Sequence, residues 1–367
     1  MMHRFSAEEQ SPDGYWGEQS RAGPTTGYDY LTVTGVALYW EHSRDKAALE
    51  ALRRNTTFHE YYTYPDGAPI ETHNDRNRYW SETTWGQFGF SNFSGGRRYS
   101  EFLMDSYPAG RLWLEMLGRV AQNALYYHEG PTQPIPQDRE HYVHQMSVPA
   151  GVRKTGPWVV ALSGLMDAPT ASQFRLDRQG HVSVFHKRTG LIITGANSKR
   201  QPELATFWEK AGGQLYHIPF STRLRMEGAE DQLALAYNSF FSVLHIPRPA
   251  EREAQLRFVV HTKGKGADSA LTLQLCLKAG QPLETGAGKR IELGEQPVEL
   301  GPEEIGGRIR HNGWTLSTGA GARLRWPVQP FNPYANGPET GLRHAIGALS
   351  VALRRVSETI DFRIEVD

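Results

Sequence analysis

The hydrophobic period of this chain changes once, and that change limits the possible architectures more than any other feature. Up to about residue 130 the apolar residues follow helical spacing. Tyr30 to His42 is apolar almost all round (Leu31, Val33, Val36, Ala37, Leu38, Tyr39, Trp40), as a helix buried between others requires. Ser43 to Asp45 predicts the cap of a second helix, with Ala48, Leu49 and Leu52 on one face, leading to Phe58–Tyr62. Arg111 to His128 predicts a third, with Trp113, Leu117, Val120, Ala121 and Ala124 marking its packed face. Between the second and third helices, from Pro65 to about Arg98, the chain is rich in Gly, Asn, Ser and aromatics and reads as irregular.

Gly130 to Glu140, GPTQPIPQDRE, has three prolines in eleven residues and reads as a linker. Beyond it the segments are short and β-rich: Trp158–Leu162, Val182–Phe185, Leu191–Thr194, Leu233–Tyr237, Phe240–Ile246, Leu256–Val260 and Leu271–Leu277. The last segment is the clearest. Ile360, Phe362, Ile364 and Val366 alternate with Asp361, Arg363 and Glu365, the pattern of a half-buried antiparallel strand. Many strands without intervening helices predict a sandwich. The expected fold class is therefore α+β and multidomain: a helical domain over 1–130, a linker over 131–140, and a large antiparallel β-sandwich over 141–367.

A chain of 367 residues can bury two substantial cores. Lysine plus arginine and aspartate plus glutamate balance at 40 each, so no global field draws the molecule to nucleic acid or to a membrane surface. No apolar run approaches the ~20 residues of a membrane span. An anionic partner would have to be held by local basic clusters. The one cysteine, Cys276, sits opposite Leu271, Leu273, Leu275 and Leu277 on its strand, which excludes an internal disulfide and favours a packing role. The opening MMHRFSAEEQ lacks the pattern of a signal peptide.

Residues 13–30, DGYWGEQSRAGPTTGYDY, crowd aromatics, glycines and hydrogen-bonding groups into a loop that opens onto the first helix. Trp16 offers a stacking face, and Glu18, Arg21, Tyr28 and Tyr30 offer acid, cation and phenols. Such an inventory suits a site for a polar polymer. A second cluster, Glu71 to Trp80, places His73, Asn74, Arg76, Arg78 and Trp80 within eight residues. It can clamp a carboxylate, or it can be a solvated turn in which Asp75 pairs with the arginines.

The Asp-Gly-aromatic turn, the Gly-Tyr pair a dozen residues on and the following helix resemble the toroid segment of the heparinase II/III-like polysaccharide lyases, whose relatives include alginate lyases. Pro65–Trp80 agrees, and Phe185–Phe207, FHKRTGLIITGANSKRQPELATF, resembles the start of that family's sandwich domain. The resemblance implies cleavage of a uronic-acid polysaccharide by β-elimination, an anionic polysaccharide or oligosaccharide as partner, and export from the cell. It implies Tyr28 as the residue that transfers the proton, with Tyr30 the alternative, and His73 and Asn74 as neutralisers of the substrate carboxylate. Arg76 and Arg78 would bind that carboxylate, and Trp16 and Trp80 would stack on sugar rings. No cofactor is implied. Three helices cannot close a toroid, so the helical domain is read as a partial ring, or as half of an assembly completed by an oligomer or a missing N-terminal half. The family's usual Asn-His pair upstream of the tyrosine is not matched before Asp13, where only His3 stands.

Two rival functions are a non-catalytic carbohydrate-binding remnant and a glycoside hydrolase using two of Glu18, Glu71 and Glu82. His181 and His186, at odd separation around a strand, point to opposite faces, so no metal is assigned.

Overall fold

A computed structural model describes residues 2–17, 23–74, 86–107, 114–167, 171–172, 180–195, 200–263, 268–319, 321–331 and 341–367. Among them, six α-helices precede the strands: α1 (Met2–Glu8), α2 (Thr26–Ser43), α3 (Lys46–Tyr61), α4 (Gln87–Phe90), α5 (Ser94–Asp105) and α6 (Leu114–Tyr126). Asp45 caps α3 as its position before the apolar run predicts, its side chain accepting from Ala47 N at 2.9 Å. Helix α2 starts four residues earlier than the apolar run, at Thr26.

Two sequence expectations are corrected here. The stretch read as irregular contains α4 and the start of α5, and its Gly95-Gly96 pair is a packing device inside that helix. A Cβ on Gly96 would lie 2.1 Å from Phe90 O, so only glycine lets α5 approach α4 this closely. Helix α6 is turned over relative to its expected face. Its polar side meets α4, where Asn123 Oδ1 accepts from Phe88 N at 3.2 Å and Met116 is buried. Leu114, Leu117 and Leu125 are left 86%, 48% and 76% exposed. Trp113 lies outside the described residues.

The described strands form two antiparallel sheets of eleven and nine strands, packed as a sandwich. The smaller sheet is built around the pairing of Glu253–Thr262 with Ser357–Val366, in which Leu256 faces Phe362 and Phe258 faces Ile360. The alternation of the last strand holds: Ile360, Phe362, Ile364 and Val366 point into the core. Each large apolar side chain so buried contributes roughly 1.5–3 kcal/mol.

In the larger sheet, Trp158–Ser163 is buried at every position. Trp158, Val160 and Leu162 face the sandwich interior. Val159 and Ala161 face outward into a second cluster with Phe58, Tyr62, Tyr64 and Ile70. The helical layer thus covers the outer face of the larger sheet, which is why this strand reads as an unbroken apolar run. A buried ion pair ties the two sheets, Arg153 Nη2 to Asp231 Oδ1 at 2.6 Å. The proline-rich segment is held against the helices: Gln133 N donates to Ser94 O, and Gln137 Nε2 donates to Glu60 O and Thr63 O.

Candidate functional site

The aromatic loop is a three-way joint. Asp13 accepts from Ser147 N and Ser147 Oγ, both at 2.7 Å, which fastens the loop to a sandwich hairpin. Gly14, at φ 95°, presses on α3 so tightly that a Cβ would sit 2.4 Å from Arg54 O. Trp16 N donates to Asp29 Oδ1 at 2.9 Å, which fastens the loop to α2. Asp13, Gly14 and Trp16 are therefore each fastened to a different element.

This joint corrects two assignments. Trp16 is buried and its ring stacks on Phe5 at 6.2 Å, so no sugar ring can reach its face. Tyr30 is fully buried, with its hydroxyl 2.8 Å from that of Tyr99 and its ring 4.0 Å from His59, so it cannot contact substrate. Burial also raises the Tyr30 phenol well above its ordinary range, which removes it as a base. Tyr28 differs. It lies in the first turn of α2 and keeps 37% of its surface exposed.

Residues 71–74 form a 3₁₀ turn and its cap, docked on three neighbours. Glu71 is buried and accepts from Gly195 N at 2.9 Å and Thr194 Oγ1 at 3.0 Å. Burial holds its carboxyl above the usual carboxylate range. A Glu71 spent inside the seam cannot serve as one of a hydrolase's two carboxyls, and Glu18 and Glu82 lie outside the described residues. His73 is buried, its Nε2 lying 3.1 Å from Gly151 O and 3.0 Å from Leu162 O. Its ring joins the helical layer to the sandwich, which corrects its assignment as a group facing substrate. Asn74 is likewise buried, its Oδ1 accepting from Thr26 N at 3.1 Å at the start of α2, which corrects its assignment as a neutraliser of the substrate carboxylate. The two stretches singled out in the sequence therefore meet within one helical turn of Tyr28. Arg21, Arg76, Arg78 and Trp80 lie outside the described residues.

Beneath Tyr28 is a buried polar centre that the sequence reading missed. Asp29 Oδ2 accepts from Asn55 Nδ2 at 2.8 Å and lies 2.9 Å from His59 Nε2. Asn55 also donates to Gly14 O at 3.0 Å. Its signal was available: Asn55 and His59 stand four apart on the same face of α3 as Ala51 and Leu52. A second missed pair, His144 and Tyr62, lies at the seam with Nδ1 and the hydroxyl 3.2 Å apart. The alternation of His141–Gln145 puts Tyr142 and His144 on one side. Burial pushes the His144 imidazole down and the Tyr62 phenol up, so both rest neutral, and Tyr62 is sealed from solvent.

The noted histidines of the sandwich have partners. His181 Nδ1 lies 2.9 Å from Ser163 O and Nε2 3.1 Å from the Tyr237 hydroxyl, and burial brings its pKa to about 4. His186 packs edge-on against Trp158. Burial raises the Cys276 thiol, so it is no nucleophile at neutral pH.

No protein-family model matches the sequence, and no characterised protein matches it in sequence. Solved structures do match it in shape. A xanthan lyase from Paenibacillus superposes with a TM-score of 0.57 at 8% identity, over 97% of this chain and 40% of its own. A heparinase III superposes at 0.53 and 11% identity, over 99% and 55%. A chondroitin AC lyase from Streptomyces coelicolor A3 superposes at 0.53 and 10%, over 97% and 54%. The fold is that of the polysaccharide lyases. At such identities the likeness establishes the fold alone. The chain spans about half the length of the solved lyases it matches.

Proposed function

We propose that this lyase-fold chain takes part in cleaving a uronic-acid-containing polysaccharide by β-elimination. The observation that carries the reading is the exposure of Tyr28 in the first turn of α2, a helix start that buried Asn74 holds through Thr26 N. Elimination requires a neutralised carboxylate, removal of the proton beside it, and a proton for the departing glycosidic oxygen. A phenol can perform both transfers once a cation lowers its pKa. In this reading Tyr28 moves the proton, and Asn74, buried and bonded to Thr26 N, positions the start of the helix that carries it. His73 is a positioning residue that anchors Asn74 to the sandwich. Arg76 and Arg78 supply the charge that binds the uronate, and Trp80 is the remaining stacking platform.

The matched lyases are named for heparan sulfate, xanthan and chondroitin, which supports an anionic polysaccharide as the substrate class. We retain the division into a helical part of a ring (1–130), a connecting segment (131–140) and the sandwich (141–367). The outward leucines of α6 are where further helices of such a ring would close.

The test is Tyr28→Phe, assayed on alginate, heparin, chondroitin and hyaluronan by the ultraviolet absorbance of the unsaturated uronate. Loss of a proton-transfer group costs roughly 10² to 10⁴ in rate. Wild-type turnover in the variant would remove Tyr28 from the chemistry. A second reading is a carbohydrate-binding remnant, favoured by the span of half a lyase. It requires that the wild-type chain bind these polymers and produce no chromophore.

A further inference from the structure

The face of the molecule opposite the helical layer carries an open groove of about 800 Å³. Its floor is the solvent side of three neighbouring strands in the smaller sheet, where Ser317 is opposite Arg363 and Arg363 is opposite Gln255. Its wall is the turn that joins the two final strands and carries Arg354 and Arg355. Four arginines line the groove (Arg257, Arg354, Arg355 and Arg363), against two carboxylates, Glu358 and Asp361.

The four cations fall into two classes. Arg257 is held by Asp361 at 2.8 Å, and Arg363 by Glu253 at 2.5 Å and Glu365 at 3.0 Å. These pairs fix the floor. Arg354 and Arg355 are exposed, and no carboxylate among the described residues pairs with either guanidinium. The neighbouring acid is already engaged: Glu358 Oε1 accepts from the backbone N–H of Arg354 and, at 3.4 Å, of Arg355. It stiffens the turn through the backbone and leaves both guanidinium groups to solvent.

We propose that this groove is an ancillary site for an anionic oligosaccharide, in which Arg354 and Arg355 grip carboxylate or sulfate groups and Gln255, Ser317 and Thr359 meet sugar hydroxyls. Planar guanidinium forks suit both kinds of anion. Single-stranded nucleic acid is disfavoured, because the one aromatic in the lining, Phe362, is buried in the core and offers no base-stacking face. The proposal rests on the polysaccharide reading given above. It adds a second hold on the same polymer, which raises the affinity of long chains through effective concentration.

The test compares wild type with Arg354→Ser/Arg355→Ser, and with the double lysine variant, by titration calorimetry. The probes are size-defined heparin and alginate hexasaccharides, inorganic sulfate, and a single-stranded DNA of matched charge. Unfolding curves check that the folds are equal. The expected result is that the serine variant loses one class of hexasaccharide site, or tenfold or more in its affinity, and that lysine restores part of it. Unchanged stoichiometry and affinity would overturn the proposal, as would DNA or sulfate alone binding as tightly as the hexasaccharide. Elimination by the wild-type protein is read separately. An active enzyme with unaltered binding in the variant refutes the groove alone. An inactive protein that binds through Arg354 and Arg355 refutes the lyase reading alone.

Discussion

Glu60 ties the stability of the helical layer to pH. It ends α3 against the first turn of α5, close enough that a Cβ on Gly95 would come within 2.8 Å of its Oε1. Burial raises its pKa to about 7 from an ordinary value of 4.5, and Arg139 opposes this only in part. Because the folded-state pKa is the higher one, the folded protein binds the proton more tightly than the unfolded chain does. The stability this contributes is fully present below about pH 4.5 and is lost as pH rises through about 7. At ~1.4 kcal/mol per pH unit, the gap amounts to about 3 kcal/mol at full deprotonation and about 2.5 kcal/mol between pH 5 and pH 8. The side chain keeps some contact with water, so about 2 kcal/mol is the expected size. Glu60→Gln replaces the acid with a neutral group of the same shape. Urea unfolding should show the variant more stable than wild type at pH 8 by that amount, with a much smaller difference at pH 5. A variant no more stable at pH 8, or a difference independent of pH, would refute the reasoning.

Asp29→Ala should cost about 3–5 kcal/mol in the same assay, because it leaves the Trp16 amide, Asn55 Nδ2 and His59 Nε2 facing a vacated carboxylate; a loss under 1 kcal/mol would show that the centre relaxes freely. Asp231→Ala strands the buried Arg153 guanidinium and should cost a similar amount, with double replacement by apolar residues restoring most of it. Leu114→Gln with Leu125→Gln should lower hydrophobic-dye binding and any self-association seen by sedimentation, at little cost in stability, because both side chains are exposed; a cost above 2 kcal/mol would mean that these leucines are packed in solution.

The sandwich was legible where one physical rule acted alone. The strand Ser357–Val366 packs one face and wets the other, so its burial can be read straight off Ile360, Phe362, Ile364 and Val366. The helical layer was legible only in part, because packing there overrides pattern. Gly95 and Gly96 fall in the stretch read as irregular, yet both lie inside α5, where Gly96 is needed for contact with Phe90. Helix α6 has a clean apolar stripe, but Asn123 and Met116 turn that stripe to solvent. In the candidate site, residue type alone could not separate an aromatic that stacks on sugar from one that stacks on Phe5. Trp16 and Tyr28 are both aromatic and near a glycine, and only tertiary contacts bury the first and expose the second. Asn55 and His59 were missed because their partner, Asp29, comes from another helix.

Enzymes that enclose a polymer by hinge rotation need a weak seam between the moving parts. His73 and Asn74 make this seam strong at one place. Adjacent in sequence, one holds the backbone of two sandwich strands and the other holds the first amide of α2. Rotating the start of α2 away from the larger sheet would break both attachments at once and expose a buried imidazole. The start of α2 and the larger sheet are therefore fastened through two adjacent residues, and the place of Tyr28 relative to that sheet is set when the chain folds.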